Sequence, residues 1–388
     1  MNVLLLTPDA VGSTLLQRLI TIYMQLHQYN KPVINLHELT NGLVRYYSPE
    51  FNQELLGKQH DKWGYYQSLE EIVQLLDTTD HYKTSRLAQY HIIGRNDTLQ
   101  QQVPFYRYLN DNFFVITCRR RNLFEHALSW VINGLTKKLN VYSQEEKINT
   151  FFGLYQDRFE VTQDQLLSKL HTYKNYITWS DNNFSIGSYF YYEDHLPQIE
   201  RYILGLPMFA GQANQVTWEK TFGIDFADWN RCHFYGSDLG ALALSKPEEL
   251  LRIAHATPDP AVSHLPTASS NAITEFLPQS HKEFMHKNGD KYQQAQDSIR
   301  HMAKLGILVG PLPIKKQTLA EKLYLVKNID QCIDYYNQWI EQNPGIAEPV
   351  TRDTLATRAV SEQTQWNPAT ALTTDATAAQ FARLSSPQ

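Results

Sequence analysis

The sequence predicts an α/β fold in which a parallel central sheet is flanked by helices. Between residues 1 and 130, short apolar runs alternate with longer amphipathic runs, which is the pattern of strands that alternate with helices. The run FFVITC, residues 113–118, is apolar on both of its faces, as expected for a strand that is covered on both sides. Because each helix carries the chain back before the next strand begins, this alternation predicts parallel pairing.

Strands and helices can be assigned in order along the chain. Strands are expected at residues 1–8, 31–39, 90–94, 113–118 and 188–196. Helices are expected at residues 12–29, 68–76, 119–135, 143–173 and 199–205, and again from residue 318 to residue 342. Capping boxes, in which Ser or Thr is followed three residues later by Glu, mark three of the helix starts, at residues 68–71, 143–146 and 318–321.

The same pattern divides the chain into four regions. The α/β core is expected to occupy residues 1–210. Residues 211–310, where the pattern weakens, are expected to complete this domain with loops and with helices near 272–287 and 290–305. A helical C-terminal extension is predicted at residues 311–344, and a polar tail at residues 345–388.

The composition argues against several classes of protein. With 42% hydrophobic and 19% charged residues among 388, the chain is expected to be globular. The net charge of −5 argues against nucleic-acid binding, and no apolar run is long enough to cross a bilayer. Cys118, Cys232 and Cys332 fit neither a disulfide framework nor a zinc site, so no metal is expected. With no basic secretory leader, a cytoplasmic location is favoured.

The loop in TPDAVGSTLLQRL, residues 7–19, is the first candidate site. Here the first strand passes through Gly12 into a helix that begins at Ser13 and Thr14. A helix N-terminus offers backbone N–H groups and partial positive charge, glycine allows close backbone approach, and hydroxyls can donate to a phosphate. The alternative is a plain strand-to-helix turn with serine as the cap, and the loop has no Lys or Arg.

A second candidate lies in RNLFEHALS, residues 121–129, just past the end of the FFVITC strand. Ligands of parallel α/β sheets bind at the carboxyl ends of the strands. Arg121 at that position can contact a phosphate with two N–H groups, and Ser129 in the following helix can add a hydroxyl donor. A surface arginine and a solvated serine are the alternative.

Together and in this order, GSTLLQR, RNLFEHALS and YYEDHLPQIERYILGLP resemble the motifs of sulfotransferases that use 3′-phosphoadenosine 5′-phosphosulfate (PAPS). The resemblance covers roughly residues 1–210 and implies the P-loop-NTPase-like sulfotransferase fold. It implies that Gly12, Ser13 and Thr14 bind the 5′-phosphosulfate, and that Arg121 and Ser129 bind the 3′-phosphate. It also implies transfer of a sulfuryl group to a hydroxyl or amine without a metal.

The chain departs from the family at the basic residue of the first loop, where Ala10 stands. That residue stabilises the charge that develops on the phosphosulfate bridge, and loss of such a donor costs about 3–4 kcal/mol in the transition state. Arg95 is expected to reach the sulfate instead, with Lys83 and Arg86 as alternatives. The segment HKNGDKY, residues 286–292, weakly resembles the basic loop that the family places over the 3′-phosphate, although a turn between helices is the default interpretation.

For the catalytic base, the resemblance implies His or Glu near the acceptor. His37 and Glu38 both lie at the end of the second predicted strand. Adjacent strand residues point to opposite faces, so only one of them can face the site. Glu38 is the first choice, because related family members carry Glu after this strand, and His91 is the next candidate.

Two functions from different classes remain open. The first is an active sulfotransferase with a small-molecule or glycan acceptor. The second is a weakly active or inactive protein of the same fold that serves as a structural or binding module. The Tyr-, Asn- and Gln-rich composition and the segment at residues 314–340 resemble proteins encoded by tailed phages of cyanobacteria, which implies a virion component with protein partners at the C-terminal extension. The GxxxxGK[ST] and GxGxxG motifs are absent, which argues against an ATP-hydrolysing P-loop and a Rossmann dinucleotide site.

Overall fold

The computed structural model describes part of the chain, and that part forms two compact units. The described residues are 1–27, 33–39, 68–78, 80–93, 97–137, 140–141, 144–210, 218–222, 226, 248, 312 and 315–366. The first unit comprises Met1–Arg121, Thr172–Phe226 and Gln294–Leu312, and the second comprises Asn122–His171, Ala227–Gln293 and Pro313–Gln388. The units therefore interleave along the chain, whereas the four regions expected from the sequence follow one another.

The first unit contains a five-stranded sheet in which all pairs are parallel. Its strands are β1 (Asn2–Leu6), β2 (Val33–Glu38), β3 (Tyr82–Leu87), β4 (Phe113–Arg119) and β5 (Ile186–Tyr191). They are arranged in the order β2-β3-β1-β4-β5. The predicted α/β class with a parallel central sheet flanked by helices is thereby confirmed.

The described helices are, in chain order, α1 (Ser13–Leu26), α2 (Leu69–Thr78), α3 (Gln89–Ile93), α4 (Leu99–Asn112), α5 (Leu123–Thr136), α6 (Gln144–Asp157), α7 (Gln163–Asn183), α8 (Tyr192–His195), α9 (Ile199–Leu204), α10 (Trp218–Phe222), α11 (Leu319–Leu325), α12 (Ile329–Gln342) and α13 (Arg352–Trp366). Short 3-10 helices occupy Leu196–Gln198 and Pro207–Phe209. Among the described residues, no helix has both the length and the apolar character needed to cross a membrane.

The strand order determines where a ligand is expected. β1 lies between β3 and β4, and the chain leaves β1 towards β2 but leaves β4 towards β5. Where two adjacent parallel strands send the chain in opposite directions, their loops diverge and open a crevice at the carboxyl end of the sheet. The loop after β1, residues 7–12, and the chain after β4, residues 120 and 121, therefore flank the expected ligand position.

α1 is buried along most of its length, including Gln17, Arg18 and Thr21. Gln17 Nε2 donates to the carbonyl of Thr84 at 3.2 Å, and the hydroxyls of Thr21 and Thr84 lie 2.7 Å apart. Asn35 Nδ2 donates to Thr21 Oγ1 at 3.2 Å. Because buried polar groups need hydrogen-bond partners, these contacts fix α1 against β2 and β3.

The carboxyl ends of β1 and β4 are joined by the hydroxyl of Tyr176, a fully buried residue of α7. This hydroxyl lies 2.8 Å from the carbonyl of Leu6 and 3.0 Å from the carbonyl of Cys118, and it can donate to either. It also lies 2.7 Å from Thr117 Oγ1. One side chain thus sets the spacing of the two strands at the crevice.

In the second unit, a buried ion pair links α6 to α11. Lys147 Nζ lies 2.9 Å from Glu321 Oε2, and the two side chains are 1% and 0% exposed. The Tyr155 hydroxyl donates to the other carboxylate oxygen at 2.6 Å, and the N–H of Thr318 donates to Oε2 at 2.8 Å. The last contact belongs to the capping box predicted at residues 318–321, which is confirmed.

The third strand differs from the prediction. It is Tyr82–Leu87, and the predicted strand at residues 90–94 overlaps α3 instead. The segment YKTSRL is mostly polar and lacks the apolar alternation that identifies a strand. Thr84 is nevertheless fully buried, because α1 supplies its polar partners.

Two further boundaries differ. The helix predicted at residues 143–173 is divided into α6 and α7, and Arg158 between them has φ 45° and donates from Nε to the carbonyl of Tyr324 at 2.6 Å. The predicted fifth strand ends at Tyr191, because the chain then enters α8.

The region predicted as a polar tail contains α13, in which Leu355, Ala356, Ala359 and Val360 are buried. Alanine and threonine dominate this region, so the sequence pattern does not indicate the short apolar face of α13. The helices predicted near 272–287 and 290–305 lie outside the described residues, as do residues 286–292.

We predict that Tyr176→Phe lowers the free energy of unfolding by about 1–3 kcal/mol, because buried backbone carbonyls lose their hydroxyl partner. Urea denaturation followed by tryptophan fluorescence measures the change. The matched control is Tyr189→Phe, because Tyr189 is 40% exposed. This variant should change the free energy of unfolding by no more than about 0.5 kcal/mol. Equal stability of Tyr176→Phe and the wild type would show that the hydroxyl does not hold the strands.

The second unit should lose stability in acid through Glu321. Burial alone would raise the pKa of Glu321, but the Lys147 ammonium and the hydrogen bond from Tyr155 hold that pKa below its ordinary value. The unfolded chain therefore takes up this proton at a higher pH than the folded chain. The stabilisation is present above the unfolded-state pKa and is lost as the pH falls through the folded-state pKa.

The corresponding test is Glu321→Gln, measured by urea denaturation between pH 7 and pH 3. The variant should lose about 3–5 kcal/mol at pH 7, because Lys147 is left buried without its counter-charge, and its stability should fall less steeply in acid. Asp330→Asn is the control, because Asp330 pairs with Arg352 but is 65% exposed. Parallel acid curves for Glu321→Gln and the wild type would contradict this assignment.

Candidate functional site

The loop between β1 and α1 has the backbone shape of an anion cradle. Ala10 and Gly12 both have positive φ, 60° and 71°, and Gly12 is the N-cap of α1. Gly12 has no side chain with which to cap this helix N-terminus, and the first turn of the helix holds no acidic residue. The partial positive charge of the helix end is thus offered at the crevice.

The hydroxyls of Ser13 and Thr14 have different surroundings. Ser13 is buried, and its Oγ lies 2.9 Å from Thr7 Oγ1, which donates to the carbonyl of Pro8 at 2.6 Å. Thr14 Oγ1 instead accepts a hydrogen bond from Nη1 of Arg86. Ser13 is therefore tied back to the end of β1, whereas Thr14 is tied to β3.

Arg86 connects the loop to the predicted base. Its Nη2 lies 3.1 Å from Oε1 of Glu38, and the two side chains are 11% and 20% exposed. The two residues are also partners in the pairing of β2 with β3. Glu38, Arg86 and Thr14 thus form one chain of contacts at the carboxyl ends of β2 and β3.

Tyr90 lies close to the contacts that join Glu38, Arg86 and Thr14. The Tyr90 hydroxyl donates to Oδ1 of Asp9 at 2.9 Å, joining α3 to the loop. Partial desolvation of the phenol, together with the negative charges of Asp9 and Glu38, raises the pKa of Tyr90 well above its ordinary value. The phenol therefore stays neutral and remains a donor.

On the β4 side, Arg120 is the buried centre of the site. Its side chain is 3% exposed, and its Nε lies 2.6 Å from Oε1 of Glu193. Its Nη1 donates to the carbonyl of Ala10 at 3.2 Å, and its guanidinium lies 4.1 Å from the centre of the Tyr192 ring. The Tyr173 hydroxyl accepts from the Arg120 N–H at 2.8 Å and lies 3.1 Å from the Arg120 carbonyl. Backbone and side chain of Arg120 are both held.

Arg121 is far more exposed. Its side chain is 56% exposed, and its Nε lies 2.6 Å from Oδ2 of Asp194, which raises the pKa of Arg121. Its guanidinium lies 4.1 Å from the centre of the Tyr191 ring, and its N–H donates to Oε2 of Glu193 at 2.9 Å. An exposed guanidinium with a replaceable carboxylate partner suits an incoming phosphate.

Tyr192 closes the cradle from one side. A Cβ placed on Gly12 would lie 3.0 Å from two carbons of the Tyr192 ring, so the ring is packed directly on the loop glycine. Tyr192 also lies under Arg120. A ligand on the Gly12 N–H must share this space with the tyrosine.

The predicted site residues are placed as follows. Gly12, Ser13, Thr14 and Glu38 lie together at the carboxyl end of the sheet, and Arg121 follows β4 in the same unit. Ser129 lies in the second unit, on α5, where its hydroxyl donates to the carbonyl of Glu125 at 2.9 Å. The pairing of Arg121 with Ser129 stays a prediction.

The structure describes only part of the other residues that the sequence offers as base or sulfate contact. His37 lies in β2 and His91 in α3, but their side chains are outside the described part of the chain, as is all of Arg95. Lys83 Nζ donates to the carbonyl of His81 at 2.9 Å, near the start of β3 and away from the loop. Of the basic residues considered for the sulfate, Arg86 is the one that the described structure brings to the loop.

Sequence reasoning missed Arg120, Tyr192 and Glu193 as members of the site. The signal was present, because the RRR run begins at the last residue of β4 and the YED motif follows β5, and parallel neighbours end at the same edge of the sheet. In the part of the chain that the structure describes, no group of three or more His, Cys, Asp or Glu residues could hold a metal ion.

Comparison of the sequence with models of protein families, with curated proteins and with solved structures gives no match.

The two neighbouring ion pairs of the site should differ in their effect on stability. We predict that Glu193→Ala lowers the free energy of unfolding by about 3 kcal/mol, because it leaves the Arg120 guanidinium buried without its carboxylate. Asp194→Ala should cost less than about 1 kcal/mol, because the Arg121 pair is exposed to solvent. Thermal and urea unfolding of the two variants test this, and equal losses would show that Arg120 is not held by Glu193.

Proposed function

We propose that the chain is a sulfotransferase that uses PAPS as sulfuryl donor and a small-molecule or glycan hydroxyl or amine as acceptor. The observation that carries the proposal is the contact of Arg86 with Thr14 at the N-terminus of α1, where the N-cap residue is Gly12. The basic residue missing at Ala10 thus has a replacement from β3. A cation and a helix N-terminus together suit an oxyanion better than either alone.

The finer fold assignment belongs to the same proposal. A P-loop-NTPase-like sulfotransferase fold is supported by the position of β1 inside the sheet, between β3 and β4, with its loop at the switch point. Gly12, Ser13 and Thr14 are proposed to hold the 5′-phosphosulfate, and Arg121 with Ser129 the 3′-phosphate. No step of this proposal requires a metal.

For the remaining catalytic roles, the sequence offers Glu38 or His37 as proton acceptor and Arg95 as a sulfate contact. Glu38 is the one whose side chain is described, and it lies beside Arg86 at the loop. The reaction depends mainly on positioning and charge stabilisation, as in phosphoryl transfer.

A second candidate is a structural or binding protein of the same fold with little or no activity. It is favoured by the packing of Tyr192 on Gly12 and by the donation of Arg120 to the Ala10 carbonyl, which occupy the β4 side of the loop. In that case the helical segment at residues 311–344 is the proposed docking region for protein partners, as in a virion component.

The deciding experiment is calorimetric titration with adenosine 3′,5′-bisphosphate beside AMP. The wild type should bind the bisphosphate more tightly, because only that nucleotide carries the 3′-phosphate. Arg121→Ala should weaken bisphosphate binding by about 10- to 100-fold, the range expected for loss of a charged hydrogen-bonded contact, while AMP binding stays unchanged.

Arg107→Ala is the matched control, because Arg107 is an exposed arginine on α4 of the same unit. It should bind both nucleotides as the wild type does. Absence of heat from either nucleotide would overturn the sulfotransferase proposal and leave the structural one. Equal weakening of AMP and bisphosphate by Arg121→Ala would remove Arg121 from the 3′-phosphate.

A further inference from the structure

We propose that Arg86 is the catalytic cation that contacts the transferred sulfuryl group, and that Glu38 is the residue that positions Arg86 rather than the proton acceptor. This inference rests on the proposed function and assigns the roles of two side chains within it.

The backbone around Arg86 is fixed on both sides. Arg86 pairs with Glu38 on β2 and with Leu5 on β1. The Arg86 carbonyl accepts from the N–H of Leu39 at 3.0 Å, and the next carbonyl, of Leu87, accepts from the N–H of Thr7 at 3.0 Å. The guanidinium is therefore carried by the interior of a sheet and not by a loop. A group held in this way needs little reorganisation in the transition state.

The guanidinium of Arg86 has more N–H groups than its contacts among the described residues use. Nη1 donates to Thr14 and Nη2 lies on Glu38, whereas Nε is buried and has no hydrogen-bond partner among the described residues. An arginine has more N–H donors than these contacts use. A buried donor without a partner is unusual in a native structure, and a bound anion is one of its ordinary explanations.

Sulfuryl transfer requires a cation beside the bridging oxygen of the leaving phosphate. The acceptor oxygen or nitrogen forms a bond to sulfur while the bond from sulfur to the bridging phosphate oxygen breaks, and the electron pair of the broken bond stays on that oxygen. The acceptor proton leaves to a base or to solvent. Thr14 and the N-terminus of α1 lie where the leaving phosphate is proposed to sit, so a cation on Thr14 stands beside the oxygen that gains charge.

Glu38 is arranged to hold Arg86. Its carboxylate lies 3.1 Å from Nη2, and the backbone pairing of β2 with β3 brings the two residues side by side. A planar guanidinium paired with a carboxylate loses much of its rotational freedom, which orients the remaining donors. A carboxylate engaged in this way serves the arginine rather than the acceptor.

The test compares Arg86→Gln, Arg86→Lys and Glu38→Gln with the wild type and with Arg107→Gln as control. The first readout is the release of adenosine 3′,5′-bisphosphate from PAPS, with water or added phenols and amines as acceptors. Arg86→Gln should lower turnover by about 100- to 1,000-fold. Arg86→Lys should restore part of the loss, because lysine returns the charge without the fork of donors.

Glu38→Gln distinguishes positioning from proton transfer. A positioning role predicts a smaller loss of kcat than that of Arg86→Gln, an unchanged KM for PAPS, and a pH profile of unchanged shape. A proton-accepting role predicts that the rise of kcat on the acid side of the profile disappears, because the group that titrates has been removed. That second result would overturn the assignment of Glu38.

The second readout needs no turnover, and it separates this inference from the proposed function. Sodium sulfate should raise the unfolding temperature of the wild type more than that of Arg86→Gln, with sodium chloride at equal ionic strength as reference. If the wild type binds no nucleotide but shows this Arg86-dependent effect of sulfate, the anion site stands and the sulfotransferase proposal fails.

If the wild type binds nucleotide, and Arg86→Gln matches it in turnover and in its response to sulfate, the role of Arg86 is overturned while the proposed function stands. If sulfate stabilises both proteins equally and no nucleotide binds, both are overturned. Where nucleotide binds without measurable turnover, the sulfate comparison alone decides the role of Arg86.

Discussion

The position of β1 between β3 and β4 is the constraint on which the rest of the site depends. Because all strands are parallel, the carboxyl ends of these three strands meet at one edge, and the loop after β1 must lie between side chains supplied by its neighbours. Arg86 reaches this loop from β3, and Arg120 reaches it from the end of β4. The buried hydroxyl of Tyr176 holds the spacing of β1 and β4 at the same edge. A displacement of β1 would therefore break the contacts of Arg86, Arg120 and Tyr176 at the same time.

Arg120 and Arg86 contact the loop region from opposite sides of β1, and their surroundings differ. Arg120 is buried, paired with Glu193 and packed on Tyr192, so its charge is already neutralised by the protein. Its contact with the Ala10 carbonyl stabilises a residue with positive φ, a conformation that costs a non-glycine residue about 1–2 kcal/mol. The β4 side is therefore structural in character. Arg86 instead lies between the Glu38 carboxylate and the Thr14 hydroxyl, so its charge stands at the N-terminus of α1, which suits a role towards a ligand.

The fold class followed from the sequence because apolar periodicity reports burial, and burial on both faces reports a covered parallel sheet. β3 did not follow, because Thr84 is buried through hydrogen bonds with Gln17 and Thr21, which are distant in sequence and which a local pattern does not contain. In the site, glycine and hydroxyl residues of one loop were recognisable together, since they are contiguous. Arg120, Glu193 and Tyr192 come from two strand ends that only the pairing of β4 with β5 brings together. The identity of the cation at the loop likewise depended on the pairing of β2, β3 and β1.

The absence of a basic residue in the loop is therefore weaker evidence against anion chemistry than the sequence alone suggests. A loop lysine supplies its charge from a flexible stem and is ordered by the ligand that it binds. An arginine at the end of an interior strand is ordered by the sheet, so less entropy is lost when the ligand arrives. An arginine fixed in this way reaches only a ligand that binds close to Thr14, because β3 cannot move towards a more distant one. If a phosphosulfate binds here, its position is set by the strand register between Glu38 and Arg86, and Gly12 must accommodate it against Tyr192.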